Sequence, residues 1–505
     1  MTEAKASYRR MLRSSSIIGG ASFINIAIGV LRNKVLAVLL GPVGVGLASL
    51  YTGLIATAST FASMGVGTVG TRQIAEACSK DDARALPVAR RAMFWGTMFL
   101  AIAGALVVWS LRTILAVRVL GNAADAGVVG WLSLGVALSV AGASQGALIQ
   151  GMRRIGDMAR LSVFGSVLNT ILGVALLWRW GKAGLVAFVL VGPVVSFAVG
   201  QIYVSRLPKG EADTVTLQEL AREWATLLRL GLAFMGAGFV ASLIQLWIRI
   251  EVGRILGAKS LGQYQAAWTI SMQYIGFVLG AMAADYYPRL TGVIHDHKAA
   301  GHLVNEQTEI AMLLSAPVFI AMMAMAPWVI HLLYAASFTP AIEVLRWQVL
   351  GDVLKVSSWP LGFVILAAGD GKTFFWSESA TALLTAGLIV GLAPVMGLRI
   401  TGISYLACYA FYLPLVYWLA RRRIGFCWSK SVLQLSVATF AMCVGVGIIA
   451  AMTRWGILLG CILSAGFGVF ALGRISHMSD LGGPVGRLGA MARQITRGLG
   501  TKHEQ

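Results

Sequence analysis

Charged residues inside otherwise apolar stretches are where this chain could do chemistry. A charge at the centre of a bilayer costs roughly 2.5–3.5 kcal/mol on insertion scales, so such residues face a cavity or a partner. Asp352 and Lys355 rank first, because they lie near the middle of an apolar run over 343–368 and their i, i+3 spacing puts them on one helical face. Two readings stand for them, a cavity site for an anion and a self-neutralising pair that locks helices together. Trp347 and Gln348, about one turn away, offer an aromatic face and an amide to a sugar, with core packing the equal alternative for Trp347. Arg32 and Lys34 interrupt the first apolar run two residues apart, about 200° around the helix, so both cannot face the same way. They precede Gly41 by only 9 and 7 residues, within snorkelling reach of an interface. Arg249, Glu251 and Arg254 set two cations around one anion: Arg249 is a candidate substrate contact, and Glu251 with Arg254 can also be a plain ion pair. Glu378 opens the run over 374–396 and joins Asp352 and Glu251 as a candidate for coupling to an ion, with interfacial solvation as its bland alternative.

A cavity that carries Lys and Arg suits a phosphate-bearing substrate. Asn25, Gln145, Gln150, Asn169, Gln245 and Gln273 either line such a cavity or join helices directly. Other motifs lead nowhere. GVGTVG (Gly65 to Gly70) follows no strand, and GDGKT (Gly369 to Thr373) has Leu366 where a phosphate-binding loop needs its first glycine. The HDH sequence at His295 to His297, with His302, falls in a polar loop without Cys support, and the five Cys show no CxxC spacing. No nucleophile, base and orienting acid can be assembled, so the expectation is a non-enzyme without metal or cofactor.

The elements that must position these groups are membrane helices. Of 505 residues 57% are hydrophobic and 12% charged, against about 25% charged in a soluble domain. Runs such as Leu433 to Ala451 are apolar on nearly every face, unlike the alternation of a β-barrel. The fold class expected is an all-α polytopic membrane protein of 12–14 transmembrane helices. Spans are predicted near 14–41, 46–70, 92–116, 127–150, 158–178, 184–205, 227–255, 263–284, 308–334, 343–368, 374–396 and 402–420, with a further pair near 432–452 and 455–472. Counted on alternate connections, 28 of the 41 Lys and Arg fall on one side, which predicts both termini inside. The net charge of +20 is thereby a topology signal that suits an anionic leaflet, and a nucleic-acid partner is not expected.

The turn LGPVGVG (Leu40 to Gly46) resembles LGAKSLG (Leu256 to Gly262) at an offset of 257 − 41 = 216, and GMRRIGD (Gly151 to Asp157) resembles GDGKTFF (Gly369 to Phe375) at 369 − 151 = 218. These turns predict two pseudo-symmetric six-helix lobes around a central cavity. The expected organisation is 1–205 for the first lobe, 206–226 for a cytoplasmic linker, 227–422 for the second lobe, 423–473 for an extra helix pair and 474–505 for a basic tail.

The segments NKVLAVLLGPVGVGL (Asn33 to Leu47), YYPRLT (Tyr286 to Thr291) and WQVLGDVLKV (Trp347 to Val356), with Glu378 in SESA, resemble the Wzx-type polysaccharide and O-antigen flippases of the multidrug/oligosaccharidyl-lipid/polysaccharide (MOP) exporter superfamily. Within that family the likeness is strongest to flippases of the enterobacterial common antigen unit, lipid III, and it spans residues 15 to about 422. The resemblance implies movement of an undecaprenyl-pyrophosphate-linked oligosaccharide across a bacterial inner membrane by alternating access, driven by protons, another ion or the membrane potential. It implies membrane lipids, a polysaccharide polymerase and chain-length machinery as partners. Lys34, Asp352, Lys355 and Glu378 fall at charged positions of the family pattern, whereas Arg32 and Arg249 do not. The more distant peptidoglycan-precursor flippases carry cations near the eighth span, where this chain reads QAAWTISMQY (Gln265 to Tyr274) without Arg. Two alternatives remain open: a drug or organic-cation exporter of the same superfamily, which would favour an acidic cavity, and a membrane-embedded glycan polymerase or ligase, which would favour long external loops.

Overall fold

Within hydrocarbon a chain must satisfy its own backbone, and here it does so with helices. In a computed structural model, residues 2–79, 84–207, 216–453 and 455–478 are described, and among them there is no strand. The helices are α1 (Thr2–Ala62), α2 (Val66–Ser79), α3 (Ala85–Ser110), α4 (Arg112–Leu115), α5 (Ala126–Gly151), α6 (Ile155–Trp180), α7 (Leu185–Ser205), α8 (Leu217–Val293), α9 (His297–Leu333), α10 (Ala341–Ala367), α11 (Gly371–Met396), α12 (Ile400–Ile424), α13 (Lys430–Met452) and α14 (Trp455–Met478). Among the described residues nine stretches are long and apolar enough to cross a membrane, and Gly19–Ala62, Ile155–Ser205 and Gly371–Ile424 each hold two helices or helix arms. The protein is a multi-pass, all-helical membrane protein.

Two helices that are long on paper are bent by glycine. Gly41 (φ 63°, ψ −165°) divides α1 and Gly257 (φ 83°, ψ 162°) divides α8, each in a backbone region that only glycine enters freely. The same 216-residue interval separates two further pairs of left-handed residues. Arg153 (φ 54°) precedes Gly369 (φ 77°) by 369 − 153 = 216, and Gly181 (φ 53°) precedes Gly397 (φ 63°) by 397 − 181 = 216. Helices α6 and α11 are both 26 residues long and begin 371 − 155 = 216 apart. The backbone therefore corrects the offset of 218 taken from the internal turns: Gly369 matches Arg153, two residues after Gly151.

Contacts divide the chain into two units, Met1–Gly262 and Gln263–Gln505. The break falls later than the expected lobe boundary because the first arm of α8 packs backbone to backbone on the second arm of α1. A Cβ on Gly46 would lie 2.4 Å from the Ala258 carbonyl oxygen, and one on Gly65 would lie 2.6 Å from that of Gly231. The start of α8 is set by a reciprocal cap: Thr216 N donates to Glu219 Oε2 at 2.9 Å and Glu219 N donates to Thr216 Oγ1 at 3.3 Å. Residues 208–215 of the expected linker and 479–505 of the expected tail lie outside the described residues.

In the second unit α10 is the buried helix, packed by α9, α12 and the second arm of α8. Tyr286 of the YYPRLT segment is fully buried and donates to the Pro360 carbonyl at 2.9 Å, which ties that arm to α10. Helices α13 and α14 pack on α9, where Ser464 Oγ donates to the Pro317 carbonyl at 2.8 Å.

Candidate functional site

The middle of α10 carries a polar cluster in an apolar setting. Asp352 is fully buried, and its carboxylate accepts three hydroxyl hydrogen bonds: Ser271 Oγ at 2.8 Å and the Tyr274 hydroxyl on Oδ2, and the Tyr405 hydroxyl at 2.7 Å on Oδ1. An ionised carboxylate is an acceptor only, with room for all three donors. Lys355, one turn along the same face, reaches the Tyr405 hydroxyl from Nζ at 3.4 Å, so this phenol stands between the two charges in place of a direct ion pair. The ammonium also lies 5.9 Å from the Tyr405 ring centre and 5.6 Å from that of Tyr409, within cation–π range. Met272 Sδ, 3.8 Å from Nζ, closes another side.

Three tyrosines of α12, at 405, 409 and 412, follow the i, i+4, i+7 spacing that puts side chains on one face. Adjacent rings are 5.0 and 6.1 Å apart, and Tyr412 at the far end donates to the carboxylate of Glu378, an exposed residue of α11. Trp268 of α8 meets the Tyr405 ring edge-on at 5.7 Å. Four helical segments of the second unit thus bring together Asp352, Lys355 and Glu378 with a run of phenols.

The other sequence candidates sit differently. Gln348 is fully buried one turn before Asp352 and neither of its amide atoms makes a hydrogen bond, while Trp347 packs on α12 at Gly402, where a Cβ would meet its own Cβ at 2.7 Å. In the first unit Arg32 donates to the Phe188 carbonyl at 3.0 Å and lies 4.1 Å over the Phe188 ring, which ties α1 to α7. Arg249 donates to the Ser49 carbonyl at 3.3 Å and rests over Gly53, where a Cβ would come within 2.8 Å of Nη1. Both guanidiniums therefore spend donors on main-chain carbonyls. Lys34 is half-buried on α1 and Glu251 half-buried on α8; Arg254 is exposed, and the alternative ion pair of Glu251 with Arg254 does not form among the described residues. Ser271, Tyr274, Tyr405, Tyr409 and Tyr412 escaped the sequence reading. The tyrosine spacing in YLACYAFY was the available signal, whereas Ser271 and Tyr274 are legible only once α8 is laid against α10.

The sequence pattern of the polysaccharide biosynthesis protein family matches residues 35–343, well over half of the chain. The chain belongs to this family. It is 24% identical over 433 residues, 82% of this chain and 99% of the relative, to the lipid III flippase of Escherichia coli (strain K12). A shorter similarity, 23% over 158 residues, covers 31% of the chain and 41% of the amylovoran biosynthesis protein AmsL of Erwinia amylovora. Among solved structures, the lipid II flippase MurJ in an inward closed conformation aligns with a TM-score of 0.68 at 12% identity, covering 90% of this chain and 98% of MurJ. An inward-facing multidrug resistance MATE transporter of the MOP superfamily aligns with a TM-score of 0.66 at 17% identity, covering 80% and 98%. These structures establish a shared fold. The family match runs from residue 35 to residue 343, so Lys34 lies just before it and the Asp352 and Lys355 cluster beyond it, while the second arm of α1 falls inside.

Proposed function

We propose that this member of the family is a flippase that carries a polyprenyl-pyrophosphate-linked oligosaccharide from the cytoplasmic to the outer leaflet of a bacterial inner membrane by alternating access, with both termini inside. The similarity to the lipid III flippase along nearly its whole length supports the substrate class. The observation that carries the reading on this chain is Lys355: an ammonium in the middle of an apolar helix, held by Tyr405 and backed by Asp352. A pyrophosphate offers such an ammonium a partner that bulk hydrocarbon does not. Asp352, fixed by three hydroxyls, positions the lysine and the tyrosines. Glu378 has one phenol partner and is exposed, and it is the candidate of this cluster for coupling to an ion. We extend the organisation to two six-helix lobes, for which the shared 216-residue spacing is the support. Such a protein is a transporter, with no bond made or broken on the glycan. The exported glycan then serves a polymerase and its chain-length machinery outside.

The test is transfer of a labelled polyprenyl-pyrophosphate oligosaccharide between leaflets of proteoliposomes. Protein-dependent transfer that Lys355→Ala abolishes while the protein still folds is the expected result. No transfer of any such lipid under an imposed ion gradient overturns the proposal.

A further inference from the structure

The 216-residue spacing carries information about the first unit. A cavity of about 360 Å³ lies among α5, α6 and α7, within the range of small-molecule sites. One lining residue stands at a repeat position of the charged cluster, Ser139 preceding Lys355 by 355 − 139 = 216; Leu161 precedes Ser377, the neighbour of Glu378, by 377 − 161 = 216, and Gln145 precedes Leu361, a core residue of α10, by 361 − 145 = 216. Helix α7, which adds Pro193 and Ser196, follows α6 as the tyrosine-bearing α12 follows α11. The first unit therefore has an open space where the second unit has its ammonium and phenols.

The chemistry of that space is different. None of the described lining residues is charged; the polar groups are the hydroxyls of Ser139 and Ser196 and the amide of Gln145. Gln145 is 5% exposed, and its Nε2 donates to Gln201 Oε1 at 3.0 Å while its Oε1 accepts no hydrogen bond. That oxygen lies against Gly200 of α7, so the polar reach of Gln145 into the cavity is through the rest of its side chain, and the free groups are the two serine hydroxyls. Gly142 and Gly146 line the same space, and a Cβ at either meets nothing within 4 Å, so the room is not a close helix contact. Hydroxyl and amide groups without charge, in a cavity of this size, match the hydroxyls of a neutral sugar and offer no counter-charge to a pyrophosphate.

We propose that this cavity is a binding site for neutral saccharide, the glycan part of the transported lipid, and that the first unit reads sugar while the second holds charge. The inference rests on the flippase reading above. It assigns Gln145, Ser139 and Ser196 as residues that select the glycan.

Equilibrium binding to the purified full-length protein in lipid nanodiscs tests it, with two probes: bare polyprenyl diphosphate, and the same lipid carrying an N-acetylglucosamine disaccharide. The wild-type protein should prefer the sugar-bearing lipid by about tenfold, the effect of one or two net hydrogen bonds. Gly146→Leu, which fills the cavity, should remove the preference by lowering affinity for the sugar-bearing lipid to that of the bare one. Ser139→Ala with Ser196→Ala, a milder change in case the larger side chain disturbs folding, should shrink the preference. Lys355→Ala should weaken both lipids by one common factor. Equal affinity of the wild-type protein for the two lipids, or a preference that survives Gly146→Leu, overturns the saccharide site. Bare-lipid binding indifferent to Lys355→Ala overturns the charge assignment beneath it while leaving the sugar preference readable, and binding of neither lipid removes both.

Discussion

Helices α5 and α6 in the first unit and α10 and α11 in the second share their turn geometry but not their chemistry. In both regions a residue of positive φ follows the first helix, the second helix runs 26 residues, and a glycine of positive φ ends it. On this common backbone Ser139 stands where Lys355 does, and Arg154 where Asp370 does. The turns repeat because each needs a conformation few residues adopt. Helix faces carry no such demand, so the side chains on them are free to diverge into a charged cluster on one side and a neutral cavity on the other.

The change that cuts deepest into this contrast is loss of the charged cluster. Asp352→Ala leaves Ser271, Tyr274 and Tyr405 without their acceptor and Lys355 without its counter-charge. Leaving a buried ammonium without its counter-charge costs about 3–5 kcal/mol. A lower melting temperature and lipid transfer at background are expected in proteoliposomes. Asp352→Asn, which keeps the shape, should melt closer to the wild-type protein yet still transfer slowly. Wild-type transfer by Asp352→Asn would show that the carboxylate charge is dispensable and would reduce the contrast to shape.

The glycine bends come next. At Gly41 and Gly257 a Cβ has open space, so the cost of Gly41→Ala or Gly257→Ala is the backbone strain of a positive φ with extended ψ, about 1–3 kcal/mol each. Thermal unfolding of the two variants should shift by similar amounts, because the two bends do the same work. A shift at only one of them would break the equivalence on which the 216-residue comparison rests.

These two effects also mark what the sequence makes legible. The helical class, the two glycine turns and the placing of Asp352 and Lys355 within an apolar run can all be read without coordinates, since apolar runs, glycine turns and intramembrane charges are local signals. Arg32 and Arg249 look alike in sequence to Lys355, yet each is fastened to a main-chain carbonyl of a distant helix. Which partner a long side chain finds is set by helix packing, and nothing within 30 residues of Arg249 announces Ser49. The phenols around Asp352 come from two segments, α8 and α12, and share the same obscurity, apart from the periodic tyrosines of α12. The neutral cavity leaves still less trace, because serines, glycines and an amide in an apolar helix are ordinary packing residues until the empty space between them is seen.

A further difference between the units is the helix pair that only the second carries. Glu309 of α9 accepts from Ser431 Oγ of α13 and from Arg474 Nε of α14, both at 3.0 Å, and so joins three helices at one carboxylate. Arg474 is about half exposed, which weakens the pair by solvent screening, and Glu309→Ala is expected to cost roughly 1 kcal/mol. The readout is faster hydrogen exchange at the end of α14, with α5 to α7 as the unaffected reference. Equal exchange throughout would mean that apolar packing alone holds the pair.

The smallest expected effect separates the first turns of α6 and α11. Asp370 caps α11, accepting from Thr373 N at 3.0 Å and from Thr373 Oγ1 at 2.6 Å, and it also pairs with Arg423; Arg154, its counterpart, gives α6 no side-chain cap. The hydrogen bonds from Thr373, and then the Arg423 charge, hold the Asp370 carboxyl below its usual range. A carboxyl lowered in the folded state stabilises fully above its unfolded value near pH ~4, and this is lost as the pH falls through the folded value. Hydrogen exchange in the first turn of α11 should therefore quicken relative to that of α6 as the pH drops below about 4, and Asp370→Ala should remove the pH dependence. If both turns respond to acid alike, the ion pairs of Asp157 with Arg154 and Arg160 at the start of α6 are worth as much as the Asp370 cap. If only α11 responds, a single carboxylate on a repeated backbone is enough to give matching turns different stabilities, a small-scale version of what Asp352 and Lys355 do at the centre of α10.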